Sequence, residues 1–97
     1  MEAIEWTIYF GLNDKNGQDV SHLWESFEKI YVASKLDAYT VEDVTGVWHK
    51  QREKSKKITC ILEEENNWIR DIAIAWRITA MQDAVLVSHR PIRYDFP

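Results

Sequence analysis

The alternation of apolar and polar residues along this chain predicts four strands and two helices. Residues 4–10 place an apolar side chain at every even position, which is the period of a strand with one buried face. After a turn at residues 13–17, apolar residues recur at helical spacing from Leu23 to Tyr31, and Ser21 or Asp19 is the expected cap of this first helix. A second helix is predicted from a cap at Asn66 or Asn67 to about residue 81.

Three further segments are typical of strands. Residues 38–48 form the second strand, in which Asp43 and Gly46 interrupt the alternation and predict a bulge or bend. Residues 56–62 form the third, and the two pair as a hairpin across a basic loop. Residues 83–89 form the fourth, where the unbroken apolar run 84–87 predicts a central strand covered on both faces.

This order of elements predicts an α+β fold of the ferredoxin-like split βαβ type (βαββαβ). One antiparallel sheet would carry two helices on one face. The 97 residues contain no linker and no internal repeat, so we expect a single domain, residues 1–97. Its alternating tail, residues 90–97, is expected to be an extended C-terminal arm or an extra edge strand.

The predicted second helix is apolar on two sides. One broad stripe suits the core, whereas Ile74, Ile78 and Met81 lie on nearly the opposite side. An exposed apolar patch of this kind favours association, so we predict a homo-oligomer, a dimer or higher, through this helix. Arg70 and Arg77 flank the patch and would lie at the rim of the interface or in a ligand site between subunits.

Composition narrows the partners of the chain. The net charge of −4 argues against non-specific binding of duplex nucleic acid, which needs a basic surface. The single cysteine excludes an intramolecular disulfide and suits a reducing cytosol. The sequence shows no signal peptide and no apolar run that could span a membrane. We therefore expect a cytoplasmic protein, in a bacterial cell or a phage-infected host, that does not bind membranes.

No catalytic or metal-binding signature is evident. Cys60 falls mid-strand on the apolar side, where a cysteine is usually inert. His22, His49 and His89 are far apart and lack the spacing of metal ligands. We therefore nominate no catalytic residue, no metal and no cofactor, and an enzyme remains uncertain but less expected than a binding protein.

Anion binding is the better-supported chemistry. Basic residues crowd the predicted hairpin loop at positions 50–57, with Trp48 at its base, and Arg90 and Arg93 precede Tyr94 in the tail. Arginine binds phosphate with two parallel hydrogen bonds, and aromatic rings stack on bases. An ordinary charged hairpin tip that prevents edge pairing explains the loop equally well.

Spaced residues along the chain resemble a family of small bacterial proteins of unknown function. The pattern includes Tyr9-Phe10-Gly11, then Thr40-Val41 with Gly46 and Trp48, then Glu53 with Ser55-Lys56, and finally Gln82, Val85 and Leu86. The chain departs from this pattern at Lys35-Leu36-Asp37 and in its tail. The resemblance implies the fold and brings no established activity.

The chain is also faintly similar, in size, in its aromatic-rich sheet and in its clustered arginines, to the phage Thoeris anti-defence proteins. Those proteins are oligomers that sequester cyclic ADP-ribose signals without cleaving them. The similarity carries no residues over and implies only that nucleotide-like ligands deserve consideration.

The predicted function is the non-catalytic binding or sequestration of a small anionic ligand at an oligomer interface, such as a cyclic ADP-ribose or another nucleotide-derived immune signal. The ligand would be bound by six residues: Arg77, Arg90 and Arg93 at its phosphates, and Phe10, Trp48 or Tyr94 against its base. Two alternatives stay open. One is a small enzyme with its active site in a dimer cleft, and the other is a protein–protein interaction module.

Overall fold

The sheet has the strand order β2-β3-β1-β4, with every neighbouring pair antiparallel. The computed structural model describes residues 1–63 and 67–97. Its strands are β1 (Glu2–Gly11), β2 (Thr40–Trp48), β3 (Gln51–Leu62) and β4 (Leu86–Arg93). Together with a helical layer on one face, this order confirms the predicted α+β, ferredoxin-like arrangement.

The first helical segment, residues 21–32, is irregular. A 3₁₀ turn (Ser21–Leu23) leads into a short helix, α1 (Trp24–Phe27), and then a π turn (Glu28–Val32). Because a π turn takes an extra residue, the buried side chain after Phe27 is Val32, five positions later. The prediction that Ile30 and Tyr31 continue the buried face is therefore wrong, since both side chains are exposed.

The second helix, α2 (Asn67–Thr79), packs its broad apolar stripe on the sheet. Trp76 is fully buried, and its ring meets those of Phe10, Trp24 and Phe27 at centroid distances of 4.9–6.1 Å. This aromatic cluster joins β1, α1 and α2 in one core. Of the two caps that the sequence offered for this helix, Asn66 lies outside the described residues.

Two strand predictions are wrong. The fourth strand lies at the edge beside β1, and not in the centre of the sheet, so its apolar residues Leu86 and Val87 are only partly covered. It runs from Leu86 to Arg93, so residues 90–93 of the predicted arm continue this strand and do not form a separate one. The second strand has no bulge, because β2 and β3 pair without interruption from Thr40 opposite Thr59 to Trp48 opposite Gln51. The basic residues expected in a loop therefore lie on β3, apart from Lys50 in the turn.

Two functional classes were tested directly against the described structure. Within residues 1–63 and 67–97, no group of three or more His, Cys, Asp or Glu side chains is placed to hold a metal ion. In the same ranges, no helix is long and apolar enough to cross a bilayer.

Candidate ligand-binding site

The β2–β3 hairpin extends past the end of the core. Strand β1 ends at Gly11, opposite Ser55, whereas β2 and β3 continue to Trp48 and Gln51. One bond to the body follows beyond this point, from the Leu12 amide to the Lys54 carbonyl at 2.9 Å. We call residues 45–54 the hairpin overhang. It is a two-stranded ribbon with solvent on most of its surface.

A tight two-residue turn closes the overhang. His49 and Lys50 both have positive φ, 49° and 64°. Positive φ at both central residues is the type I′ turn, whose twist matches that of the flanking strands. The turn therefore holds the strand register up to the tip, and the side chains of the overhang occupy fixed faces of the ribbon.

Glu53 stands in a notch on the face of the ribbon that points away from the helices. Gly46 lies directly opposite Glu53, and Trp48 lies on the same face two positions further along β2. Gly46 offers no side chain, and a Cβ placed there would meet no atom within 4 Å. Glu53 therefore faces no side chain across the hairpin, and Trp48 is its diagonal neighbour on β2, whereas its carboxylate lies on the other flank of β3, over Gly11 of β1. We call Glu53, Gly46 and Trp48 the Glu53 notch.

Gly11 lies directly beneath the Glu53 carboxylate. A Cβ at residue 11 would overlap the Glu53 carboxylate, so only glycine allows this contact. The Gly11 carbonyl accepts hydrogen bonds from Trp76 Nε1 at 3.0 Å and from Gln82 Nε2 at 2.7 Å. Gln82 Nε2 also donates to the Asn13 carbonyl at 2.7 Å. The core thus fixes the backbone under the notch.

Burial changes the acidity of this carboxyl group. Glu53 is half-buried, and desolvation raises its pKa above the ordinary value of 4.5. A carboxylate whose pKa is raised by desolvation is stabilised more strongly by a cationic partner than a fully hydrated carboxylate is. It also accepts a proton more readily. Beside the exposed indole of Trp48, it suits a ligand that carries both a positive charge and a flat ring.

One of the predicted site residues lies in this notch. Trp48 is part of it, with 67% of its side chain exposed. Arg77 is exposed near the end of α2, where its carbonyl accepts the Gln82 amide at 2.9 Å. Phe10, by contrast, is completely buried in the aromatic cluster. The stacking role predicted for Phe10 is corrected on this ground, because its ring has no free face.

The remaining predicted residues lie elsewhere in the chain. Arg90 and Arg93 are on β4, the opposite edge of the sheet from Trp48, towards the start of β1. Tyr94 follows them, and its amide donates to the Met1 carbonyl at 3.0 Å. A single chain therefore does not bring Arg90, Arg93 and Tyr94 together with Trp48.

Several cations proposed for phosphate binding have carboxylate partners. Arg90 Nε donates to Glu5 Oε1 at 3.0 Å, and Arg93 lies 3.7 Å from Glu2. On β3, Lys56 pairs with Asp43 across the hairpin, and Lys57 lies 4.0 Å from Glu42. These pairs weaken the argument for an anion site on β4 or along the embedded part of β3.

Cys60 lies in the interior, as its place in the sequence suggested. Its side chain is buried among the core residues, and desolvation raises the pKa of its thiol to about 11. The thiol is therefore protonated near neutral pH, where a nucleophile would have to be a thiolate.

The sequence reasoning assigned no role to Glu53 or Gln82. Both belong to the spaced pattern quoted above, so their positions had been noticed, but neither has a neighbour in sequence that suggests chemistry. The missing information was the hairpin register. Once His49 and Lys50 are taken as a two-residue turn, Glu53 pairs with Gly46, and a glutamate opposite a glycine becomes visible.

Comparisons with known proteins bear on the fold. No family model and no curated protein sequence matches the chain. Among solved structures, a phage SAM lyase in complex with S-methyl-5′-thioadenosine matches with a TM-score of 0.66 at 19% identity, covering 91% of this chain and 80% of that one. A phage SAM lyase in the apo state matches with a TM-score of 0.54 at 16% identity, covering 93% and 81%. At these identities the similarity establishes a shared fold.

Proposed function

We propose that the chain binds S-adenosylmethionine in the Glu53 notch and cleaves it, releasing S-methyl-5′-thioadenosine. The observation that carries this proposal is the half-buried carboxylate of Glu53, which lies over Gly11 on the same face of the hairpin as the exposed Trp48. The match of nearly the whole fold to a phage SAM lyase supports the choice of ligand. The notch offers one group for the positive sulfur and another for the adenine ring.

Charge favours a sulfonium over a phosphate at this place. S-adenosylmethionine carries a sulfonium, an ammonium and a carboxylate group, and so has a net positive charge. The chain has a net charge of −4, and Arg90 and Arg93 are engaged by Glu5 and Glu2. Attraction between Glu53 and the sulfonium is strengthened because the carboxylate is partly shielded from water.

The cleavage requires little from the protein. The bond from sulfur to Cγ of the amino-acid moiety breaks, and its electron pair neutralises the sulfonium. In one route the substrate's own carboxylate attacks Cγ and forms a lactone. In the other, a base removes a Cβ proton and a double bond forms. Glu53 would hold the sulfonium in the first route, and its raised pKa suits proton removal in the second.

Sequestration of an intact nucleotide-derived signal, as a phage anti-defence function, is the second candidate. The observation in its favour is the tip of the overhang, where exposed Trp48 is close in sequence to Lys50 of the turn. An aromatic ring beside a cation suits a base with a phosphate. Under this alternative the protein would bind a cyclic ADP-ribose without changing it.

We place the site at the boundary between subunits of a cytoplasmic homo-oligomer. The notch is open on one side, and the outer face of α2 exposes Ile74 and Ile78 at 39% and 69%, with Met81 exposed at 60% just beyond the end of the helix. Exposed apolar residues of this kind support association through α2. Because the notch and the outer face of α2 lie on opposite sides of the sheet, a second subunit would close the notch by packing its own α2 against the open face of this sheet.

Four of the predicted ligand-binding residues keep a proposed role in such an assembly. Arg77, Arg90, Arg93 and Tyr94 would contact the ligand from the subunit that closes the notch. Arg90 and Arg93 would then exchange their carboxylate partners for ligand groups, which is feasible because both arginine side chains are largely exposed.

The function is tested by recovering the ligand after incubation. Purified protein is mixed with S-adenosylmethionine or with a cyclic ADP-ribose, denatured, and analysed by mass spectrometry. The proposal predicts S-methyl-5′-thioadenosine from the first and no reaction with the second. Glu53→Gln should abolish the product, whereas Glu42→Gln, a neutralised carboxylate elsewhere on the same face, should retain it. Recovery of unchanged S-adenosylmethionine from folded protein would contradict the proposal, and tight binding of intact cyclic ADP-ribose would favour the alternative.

A separate experiment tests the subunit interface. Ile78→Asp should reduce the molar mass measured by light scattering, because a charge would enter the apolar contact. Thr79→Asp is the matched control, since it places the same charge on the neighbouring exposed position of α2. An unchanged mass for Ile78→Asp, or an equal loss in both variants, would remove α2 as the interface.

A further inference from the structure

The helix side of the hairpin overhang forms a groove that is separate from the Glu53 notch. Residues 52, 54 and 56 of β3 alternate with Glu53 and Ser55, so their side chains lie on the opposite face of the ribbon. One wall of the groove is this strip of β2 and β3, and the other is the segment from Leu12 to Ser21. The groove has a volume of about 680 Å³, within the usual range for a small-molecule site.

The second wall is held in place by its own hydrogen bonds. Asp14 Oδ1 accepts the amides of Asn16 and Gln18, both at 2.9 Å. The Val20 amide donates to the Leu12 carbonyl at 2.7 Å and closes the base of this segment. The wall is thus formed before a ligand arrives, which lowers the entropy lost on binding.

The described lining of the groove carries three cations and two carboxylates, namely Arg52, Lys54 and Lys56 with Asp19 and Asp43. Asp43 pairs with Lys56. Asp19 Oδ1 accepts bonds from the amide and hydroxyl of Ser21 at 2.7 and 2.5 Å, but these neutral donors leave its negative charge in place, and Lys54 offsets part of that charge. The three cations exceed the two carboxylates by one, so the lining has a net positive charge that is centred on Arg52 and Lys54.

A small concave region of positive charge in an acidic protein selects small anions over polymers. The net charge of −4 repels a polyanion as a whole, whereas one oxyanion entering the groove meets Arg52 and Lys54 at close range. Arginine in particular matches the geometry of a phosphate or a carboxylate. We propose that the groove binds one oxyanionic group of a small metabolite, a phosphate or a carboxylate, between Arg52 and Lys54.

This proposal is independent of the Glu53 notch, and its test keeps the two apart. Inorganic phosphate, adenosine monophosphate and methionine are each titrated into the full chain and followed by amide chemical shifts in NMR spectra. We expect saturable shifts at residues 12–21 and 52–56, with a dissociation constant below about 1 mM for at least one probe. Saturation by phosphate and the nucleotide identifies a phosphate site, and saturation by methionine alone identifies a carboxylate site.

Two variants and two controls complete the test. Arg52→Gln and Lys54→Gln should each weaken binding about tenfold, because each removes a charged donor. Lys50→Gln removes an equal charge at the exposed turn outside the groove and should leave binding within about twofold. Glu53→Gln should also leave it unchanged, whatever happens to S-adenosylmethionine cleavage. Equal weakening by Lys50→Gln, or no saturation by any probe, would overturn the proposal.

Discussion

The two halves of β3 have opposite surroundings, although they form one continuous strand. In the embedded half, residues 58–62, Ile58 and Cys60 are buried against β1 and the helices. In the overhang, Val47 and Trp48 on the partner strand expose 64% and 67% of their side chains. The overhang keeps its regular pairing without a core beneath it. Its exposed apolar side chains therefore contribute little to the core.

The same contrast appears between two tryptophans. Trp76 and Trp48 are the same residue type, so a hydrophobicity scale gives them the same value. Trp76 is fully buried and donates to the Gly11 carbonyl, whereas Trp48 stands at the tip, where its ring contacts that of His49 at a centroid distance of 4.9 Å. One ring builds the core under the notch, and the other faces the ligand in our proposal.

The largest expected effect is at Trp76. Trp76→Ala should lower the free energy of unfolding by about 3–5 kcal/mol, because it leaves a cavity and removes the bond to Gly11. Chemical denaturation followed by circular dichroism measures the change. A loss below about 1 kcal/mol would contradict the assignment of Trp76 to the centre of the core.

Gly11→Ala comes next. The added methyl group would push against the Glu53 carboxylate, which is the end of a flexible side chain and can turn aside, so we expect the free energy of unfolding to fall by about 1 kcal/mol. In a Glu53→Ala background the same substitution should be nearly neutral, since the obstructing group is gone. The double-mutant cycle therefore predicts a coupling energy of at least about 0.5 kcal/mol. Additive effects would show that Glu53 does not rest on Gly11.

The acidity of Glu53 gives a smaller effect with a defined sign. Its pKa in the folded chain is raised above 4.5, so the unfolded chain releases this proton at lower pH. Ionisation of Glu53 therefore lowers the stability of the native state as the pH rises through the raised pKa. The Glu53→Gln variant should have a higher free energy of unfolding than the parent chain at pH 7. The difference between the two free energies should be smallest below pH 4. Stability curves that stay parallel across this range would contradict the burial of Glu53.

The smallest change in stability is expected at Trp48. Trp48→Ala should alter the free energy of unfolding by no more than about 0.5 kcal/mol, because the ring is exposed. The same variant should weaken binding of S-methyl-5′-thioadenosine, measured by calorimetry. A large loss of stability in Trp48→Ala would erase the distinction between the two tryptophans.

The fold was predictable because its signals are local. The apolar residues at the even positions of 4–10 predict one buried face of β1. The two segments with helical spacing predict two helices that pack on the same core. The π turn after Phe27 was not predictable, since no residue type in Glu28–Val32 distinguishes a π turn from an ordinary α-helical turn. The edge position of β4 was not predictable from its apolar residues. A run of four apolar residues is typical of a strand that is buried on both faces, whereas an edge strand of a small domain is only half covered.

The site was predictable only in part. Trp48 stood out as an aromatic residue beside basic ones, and it does lie in the notch. Glu53 did not stand out, because its significance depends on Gly46 across the hairpin and on Gly11 across β1, two pairings that form only when the sheet assembles. Most of the predicted basic loop is strand because of the same pairing. Two of its lysines lie opposite carboxylates on β2, and these pairs can be recognised only when the strand register is known.

The most direct test of the account compares a cationic and a neutral ligand at the Glu53 notch. Sinefungin carries an ammonium group where S-adenosylmethionine carries its sulfonium, and S-adenosylhomocysteine has an uncharged sulfur at the same place. Calorimetry should show that sinefungin binds at least about tenfold more tightly than S-adenosylhomocysteine, and that Glu53→Gln removes this preference. Equal affinities in the parent chain, or a preference that survives Glu53→Gln, would contradict the claim that Glu53 recognises a positively charged nucleoside ligand.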